Sequence, residues 1–186
     1  HLPFAGGRVV ANINIDMPML FVPTFDFVAL GAQHSSLGAT VRAAAVAQGY
    51  QLSEDAAPEE VSFIRSDQFS FVRRGVPAVV LHGGYRARDS SRDAAQMQRD
   101  FRRQQYHQPG DDVTLPFDYP GAADLARINL RTAVEIANAA ARPRWRPKPP
   151  RADRAPTARA RLLASPTRAA ADRARSPAGK RRATRN

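Results

Sequence analysis

Along the first 141 residues the spacing of apolar positions switches between strand-like runs and helical repeats. Arg8–Asp16 is rich in β-branched residues and runs into Met17-Pro18, so a strand is predicted to end near Asp16. Phe25–Leu30 reads as a second strand, stopped by Gly31. Leu37, Val41, Ala44 and Ala45 recur at helical spacing within Ser36–Gln48, which has a Ser start and a Gly49 stop. Asp67–Arg74 predicts a short helix, with Asp67 as its cap, Phe69 and Val72 about one turn apart, and Gly75 closing it. Val76–Leu81 is almost continuously apolar, as in a buried strand. The stretch from Gly83 to about Pro116 reads as one long loop. Gly121–Ala140 then carries Leu125, Ile128 and Ile136 on one helical face. Strands alternating with helices, and no internal repeat, predict an α/β domain with a largely parallel sheet covered on both faces.

Charge changes the picture only when the chain is divided. The whole carries +11, but residues 142–186 hold 15 Arg and Lys against 2 Asp, and residues 1–141 hold 13 Arg against 15 acidic groups. The basic character therefore belongs to the end of the chain. There Pro, Ala and Arg dominate, and Trp145, Leu162 and Leu163 are the only large apolar residues. Such a composition cannot offset the entropy of ordering, so residues 143–186 are expected to be a disordered tail after a domain spanning 1–142. Arg181-Arg182 and similar pairs can attract nucleic acid through counterion release. Without interleaved aromatics or a nucleic-acid-binding fold, a solvated extension is the better reading.

With no cysteine in the chain, disulfides and thiolate metal sites are excluded, and any metal must rest on His, Asp, Glu or water. No apolar stretch approaches the roughly 20 residues that span a bilayer. The chain starts at His1 rather than Met, which reads as a start inside a longer protein.

Two positions stand out chemically. Asp16 ends a strand, where a carboxylate is costly unless it is paired, capped or metal-bound; the bland alternative is a hydrogen bond to the following turn. His107 lies in Tyr106-His107-Gln108-Pro109-Gly110-Asp111, inside a loop long enough to carry function. Its neutral ring can bind a metal, with Asp111 orienting it, although a loop histidine is more often a plain surface residue. Of the other histidines, His34 falls in a helix-entry loop, and His82 ends a strand beside Gly83-Gly84, where it can line the same cleft.

Three motifs then occur in order: Asn12-Ile13-Asn14-Ile15-Asp16-Met17, then Arg65-Ser66-Asp67-Gln68-Phe69-Ser70-Phe71 running into Gly75-Val76-Pro77-Ala78-Val79, then Tyr106-His107-Gln108-Pro109-Gly110-Asp111. Together they resemble the second half of metallopeptidase family twenty-eight, which includes bacterial leucyl aminopeptidases, glutamate carboxypeptidase and the glutaminyl cyclases. The resemblance covers nearly all of residues 8–141, and Arg142-Pro143-Arg144-Trp145 is also similar to bacterial members.

The resemblance implies a three-layer αβα sandwich around a mostly parallel mixed sheet, incomplete here on its N-terminal side. It implies two zinc ions, with Asp16 a ligand of one and His107 of the other. Tyr106 matches the residue that donates to the tetrahedral intermediate, with Met17 and His82 on the cleft wall. Arg65, Ser66 and Asp67 match the motif that buttresses the site from behind. Gln68 stands where a histidine commonly follows the Asp of the second motif. The family's earlier His-x-Asp, bridging Asp and paired glutamates are expected before residue 1. Glu59-Glu60 follows Asp16 on a Pro-led polar loop and is not that pair. The implied activity is an aminopeptidase hydrolysing N-terminal peptide bonds, extracellular or periplasmic, with this chain inactive alone. A non-catalytic peptidase-like binding domain and a glutaminyl cyclase-type acyltransferase are the alternatives.

Overall fold

The computed structural model describes residues 7–147; the tail expected over 143–186 thus lies, from residue 148 on, outside the described residues. Four strands, β1 (Asn12–Asn14), β2 (Asp26–Leu30), β3 (Gln51–Ser53) and β4 (Ala78–Gly83), form one open sheet in the order β1-β4-β2-β3. β1 runs parallel to β4, and β2 parallel to β3, but β2 and β4 are antiparallel. The helices are α1 (Leu37–Ala47), α2 (Gln68–Val72), α3 (Ala94–Gln104) and α4 (Tyr119–Asn138). The architecture is α/β with a mixed sheet.

Register sorts the side chains onto two faces. Ile13 lies opposite Val79 and Asn14 opposite Val80, so successive residues of β1 and β4 point to opposite layers. Val79, Leu81 and Phe27 face α1 and α4, where Leu37, Val41, Leu125 and Ile128 complete a dry core. Each such side chain contributes about 1.5–3 kcal/mol by leaving water. Val28, Leu30 and Val80 face the other layer, packed under Phe63 and Tyr85. α2 belongs to that second layer, since its Gln68 accepts from Asn14 Nδ2 at 3.0 Å.

Several elements differ from the expectation. β1 is shorter than Arg8–Asp16: among the described residues it is an edge of the sheet, paired only with β4, and Asp16 lies two residues beyond its end. Asp67 stands at the start of α2, yet its carboxylate makes no capping hydrogen bond. The stretch from Gly83 to Pro116 is not one loop, because it contains α3. Asp93 caps α3 by accepting from Gln96 N at 2.9 Å, and Gln98, 2% exposed, pins it to the sheet by donating to Gly83 O and Gly84 O at 3.1 and 3.0 Å. The same Gly83-Gly84 turn is gripped from below by Asp26. This fully buried carboxylate accepts from Tyr85 N at 3.2 Å and Arg86 N at 2.9 Å. A Cβ on Gly84 would collide with that carboxylate, so only glycine lets the strand exit pass so close.

α4 begins where Asp118 accepts from Gly121 N at 3.1 Å, with Pro120 in the first turn. After it the chain returns to the α1 entrance. Arg146 N donates to His34 O at 2.8 Å, Ser36 N to Arg144 O at 2.9 Å, and Trp145 Nε1 to Gly75 O at 2.9 Å.

Candidate functional site

Parallel strands β1 and β4 end side by side, and an open cleft of about 840 Å³ lies beyond their C-terminal ends. Open α/β sheets bind ligands at this edge, and the volume suits a small ligand or a peptide end. Asp16 and Met17 enter the cleft from the turn after β1, and Val80 and His82 from β4. Alternation along β4 keeps Val80 and His82 on one face while Leu81 stays in the opposite core. Tyr106, His107 and Asp111 come from the segment after α3, and Arg65 and Ser66 from the segment before α2. The structure thus brings Asp16, Met17, Arg65, Ser66, His82, Tyr106, His107 and Asp111 to one cleft, whereas His34, Asp67 and Gln68 do not line it.

Asp16 is held rather than loose. The Ser66 hydroxyl donates to its Oδ2 in a short hydrogen bond, and Asn14 Nδ2 donates to Ser66 Oγ at 3.1 Å. Gln68, fully buried, closes this network: Oε1 accepts from Asn14, and Nε2 donates to Phe63 O at 2.5 Å. The glutamine that stands in place of a histidine therefore has both ends of its amide bonded, and its link to Asp16 runs through Asn14 and Ser66. Of the second motif only Ser66 touches Asp16. Arg65 lies 3.7 Å from Glu60 in an exposed ion pair.

His107 is exposed, and its ring stacks on Tyr106 with centroids 3.8 Å apart. Tyr106 in turn packs against the cluster of Met19, Phe21 and Phe101. Asp111 lines the same cleft, but its observed bond runs from its amide to Gln108 O at 3.0 Å rather than from its carboxylate to the His107 ring.

Four non-glycine residues among those described have positive φ: Met17 (41°), Met19 (50°), Val61 (50°) and His107 (59°). Met17, Met19 and His107 line the cleft, and Val61 sits between two residues that do, Glu60 and Ser62. Strain of this kind persists only where surroundings over-determine it, and it clusters at functional sites.

His82 is held well below its ordinary value, at about 4. Burial is the larger cause, and the positive charge of Arg102 adds to it. Its ring is neutral at pH 7. Burial raises the Tyr85 phenol, which lies at 3.5 Å from Asp55 Oδ1.

The sequence reading passed over several residues of this cleft. Glu59 and Glu60, excluded as the paired glutamates by their order in the chain, nonetheless line it from a 3-10 turn. Arg99, Arg102 and Arg103 line it from α3. The signal for them was a run rich in good helix formers after Asp93, with no Gly or Pro before Tyr106.

The sequence model of Peptidase family M28 matches residues 3–133. No curated protein and no solved structure matches the chain.

Proposed function

We propose, from the premise that this chain belongs to Peptidase family M28, that its cleft is part of the active site of an aminopeptidase working through two zinc ions. The family is one of metal-dependent, generally zinc-dependent peptidases, so the chain is a metallopeptidase sequence acting on peptides. Among the described residues no helix is long and apolar enough to cross a membrane.

One observation carries the finer reading: Asp16 and His107, far apart in sequence, line one cleft at the C-terminal ends of β1 and β4. Their chemistry fits the metal. A carboxylate oxygen and an imidazole nitrogen are zinc donors, and Ser66 occupies Asp16 Oδ2 while leaving Oδ1 available. Among the described residues no group of three or more such side chains gathers to hold an ion. On this reading Asp16 and His107 are two members of a larger set, whose other ligands and general base lie outside the described residues. This chain then corresponds to the C-terminal half of the catalytic domain and is inactive alone.

Zinc bound at such a site lowers the pKa of a water and polarises the scissile carbonyl. The residues of this chain orient and stabilise. Ser66 fixes the carboxylate rotamer of Asp16, and Tyr106 fixes the His107 ring by stacking. Tyr106 lines the cleft, and on this reading its phenol would donate to the developing oxyanion.

The test is a zinc titration of the chain followed by NMR. Zinc should perturb the signals around Asp16 and around His107, and Asp16→Ala and His107→Ala should each abolish the response at the substituted residue's own site. A response confined to His34 or His82, or none, removes the reading. Hydrolysis of aminoacyl-nitroanilides by this chain alone, abolished by Asp16→Ala, would overturn its incompleteness.

A further inference from the structure

α3 presents two adjacent stripes at helical spacing. Ala94, Gln98 and Phe101 are buried against the sheet and the aromatic cluster. Ala95, Arg99 and Arg102, followed by Tyr106, line the cleft. The buried stripe fixes the other: Gln98 locks the helix to Gly83 and Gly84, so the cleft-facing side chains spring from an immobilised backbone.

The guanidinium groups on this wall are not equivalent. Arg103 pairs with Asp100 at 3.1 Å, Arg65 with Glu60 at 3.7 Å, and Arg99 donates to Gln96 at 2.7 Å. Arg102 is half-buried and has no ion-pair partner among the described residues. Its charge reaches the floor of the cleft, where both His82 and Tyr85 feel it. A partly desolvated guanidinium without an anion is unfavourable, and its planar fork matches a carboxylate.

We infer that Arg102 is a specificity-determining residue that binds a carboxylate of the peptide substrate, carried by an acidic side chain or by a free C terminus. The inference rests on the peptidase reading of the cleft. It places an anion subsite on the α3 wall, beside the residues proposed to hold metal, and selects acidic or short peptides over neutral, blocked ones. Because α3 is anchored before any ligand arrives, little ordering cost is left for binding.

The experiment uses the isotopically labelled 186-residue chain in EDTA, with three probes: N-acetyl-aspartate amide, N-acetyl-alanine with a free carboxylate, and N-acetyl-asparagine amide. A charged probe should shift the Arg102 Nε and His82 signals, and the neutral asparagine probe should not. Arg102→Gln should weaken the charged probe by about tenfold or more, and Arg102→Lys should recover part of that loss. Arg131→Gln, an exposed change on α4, should alter nothing, which separates this site from general attraction to a basic chain. Unchanged α1 and α4 amide shifts certify the fold of each variant. Whichever charged probe binds more tightly identifies the source of the carboxylate. Equal response to the neutral probe, or undiminished binding by Arg102→Gln, overturns the proposal. With metal excluded, its failure is distinct from that of the zinc reading: a chain that binds the charged probes yet ignores zinc keeps the anion subsite and loses the metal site.

Discussion

The Ser66 hydroxyl donates to Oδ2 of Asp16, a residue 50 positions earlier in the chain. The bond joins the segment before α2 to the turn after β1, and Asn14 reinforces it from the strand itself. A partner of this kind sets the orientation of a metal-binding carboxylate, and losing one typically costs ~10–100-fold in metal affinity. Ser66→Ala should therefore weaken the zinc response at Asp16 by about tenfold or more, while leaving the core intact because Ser66 is outside it. Zinc titrations of the two proteins side by side check this. Equal midpoints would mean that Ser66 serves only the fold.

His82 makes stability depend on pH in a stated direction. Folded, its pKa is about 4, lowered from 6.5 chiefly by burial and then by Arg102; unfolded, it returns to about 6.5. Between those values the unfolded chain binds the extra proton. The contribution of this site is fully present above pH 6.5 and is lost as pH falls toward 4. A separation of this size is worth roughly 3 kcal/mol at the lower end. Urea midpoints measured from pH 7 to 4.5 should fall more steeply for the native chain than for His82→Asn, which cannot take up the proton. Parallel profiles would refute the assignment.

How much of this was legible in the sequence depends on what each element buries. α1 was readable because Leu37, Val41, Ala44 and Ala45 are all apolar and all buried. α3 was not, because the middle of its buried stripe is Gln98, whose value lies in two carbonyl partners rather than in apolar area. β3 has three residues and, among the described residues, pairs only with β2; it is too short to show a period. The antiparallel join of β2 and β4 is a long-range choice that no local pattern records. Asp16, Tyr106 and His107 stood out through motif and position. Arg102 did not, since one arginine among many carries no mark until the helix places it half-buried on the cleft wall with no ion pair among the described residues.

Gln98 offers a direct test of how α3 is held. Gln98→Met keeps the approximate shape and removes the donor that serves Gly83 O and Gly84 O. The expected loss is about 1–2 kcal/mol of global stability. Amide exchange should accelerate in α3 more than in α1, whose packing against α4 is untouched. Uniform acceleration in both helices would show that α3 is secured by Phe101 and its neighbours instead.

Tyr106 should have two separable roles, and two substitutions can divide them. Its ring stacks on His107 at 3.8 Å and anchors in the cluster around Phe101, and the residue lines the cleft. His107 has φ of 59°, a conformation that a histidine keeps only when its surroundings hold it there. Tyr106→Phe preserves the ring, so zinc should perturb His107 as in the native chain, with the midpoint unchanged within error. Tyr106→Ala removes the stacking surface and frees the turn, so the same titration should require several-fold more zinc, as expected when the support of a metal-binding side chain is lost. In a catalytically complete domain, Tyr106→Phe would lower kcat by roughly 10²–10³ with little change in KM, the mark of a donor that acts on the oxyanion. If Phe weakens zinc as much as Ala does, the phenol is supporting the metal-binding side chain itself, and its role as an oxyanion donor must be given up.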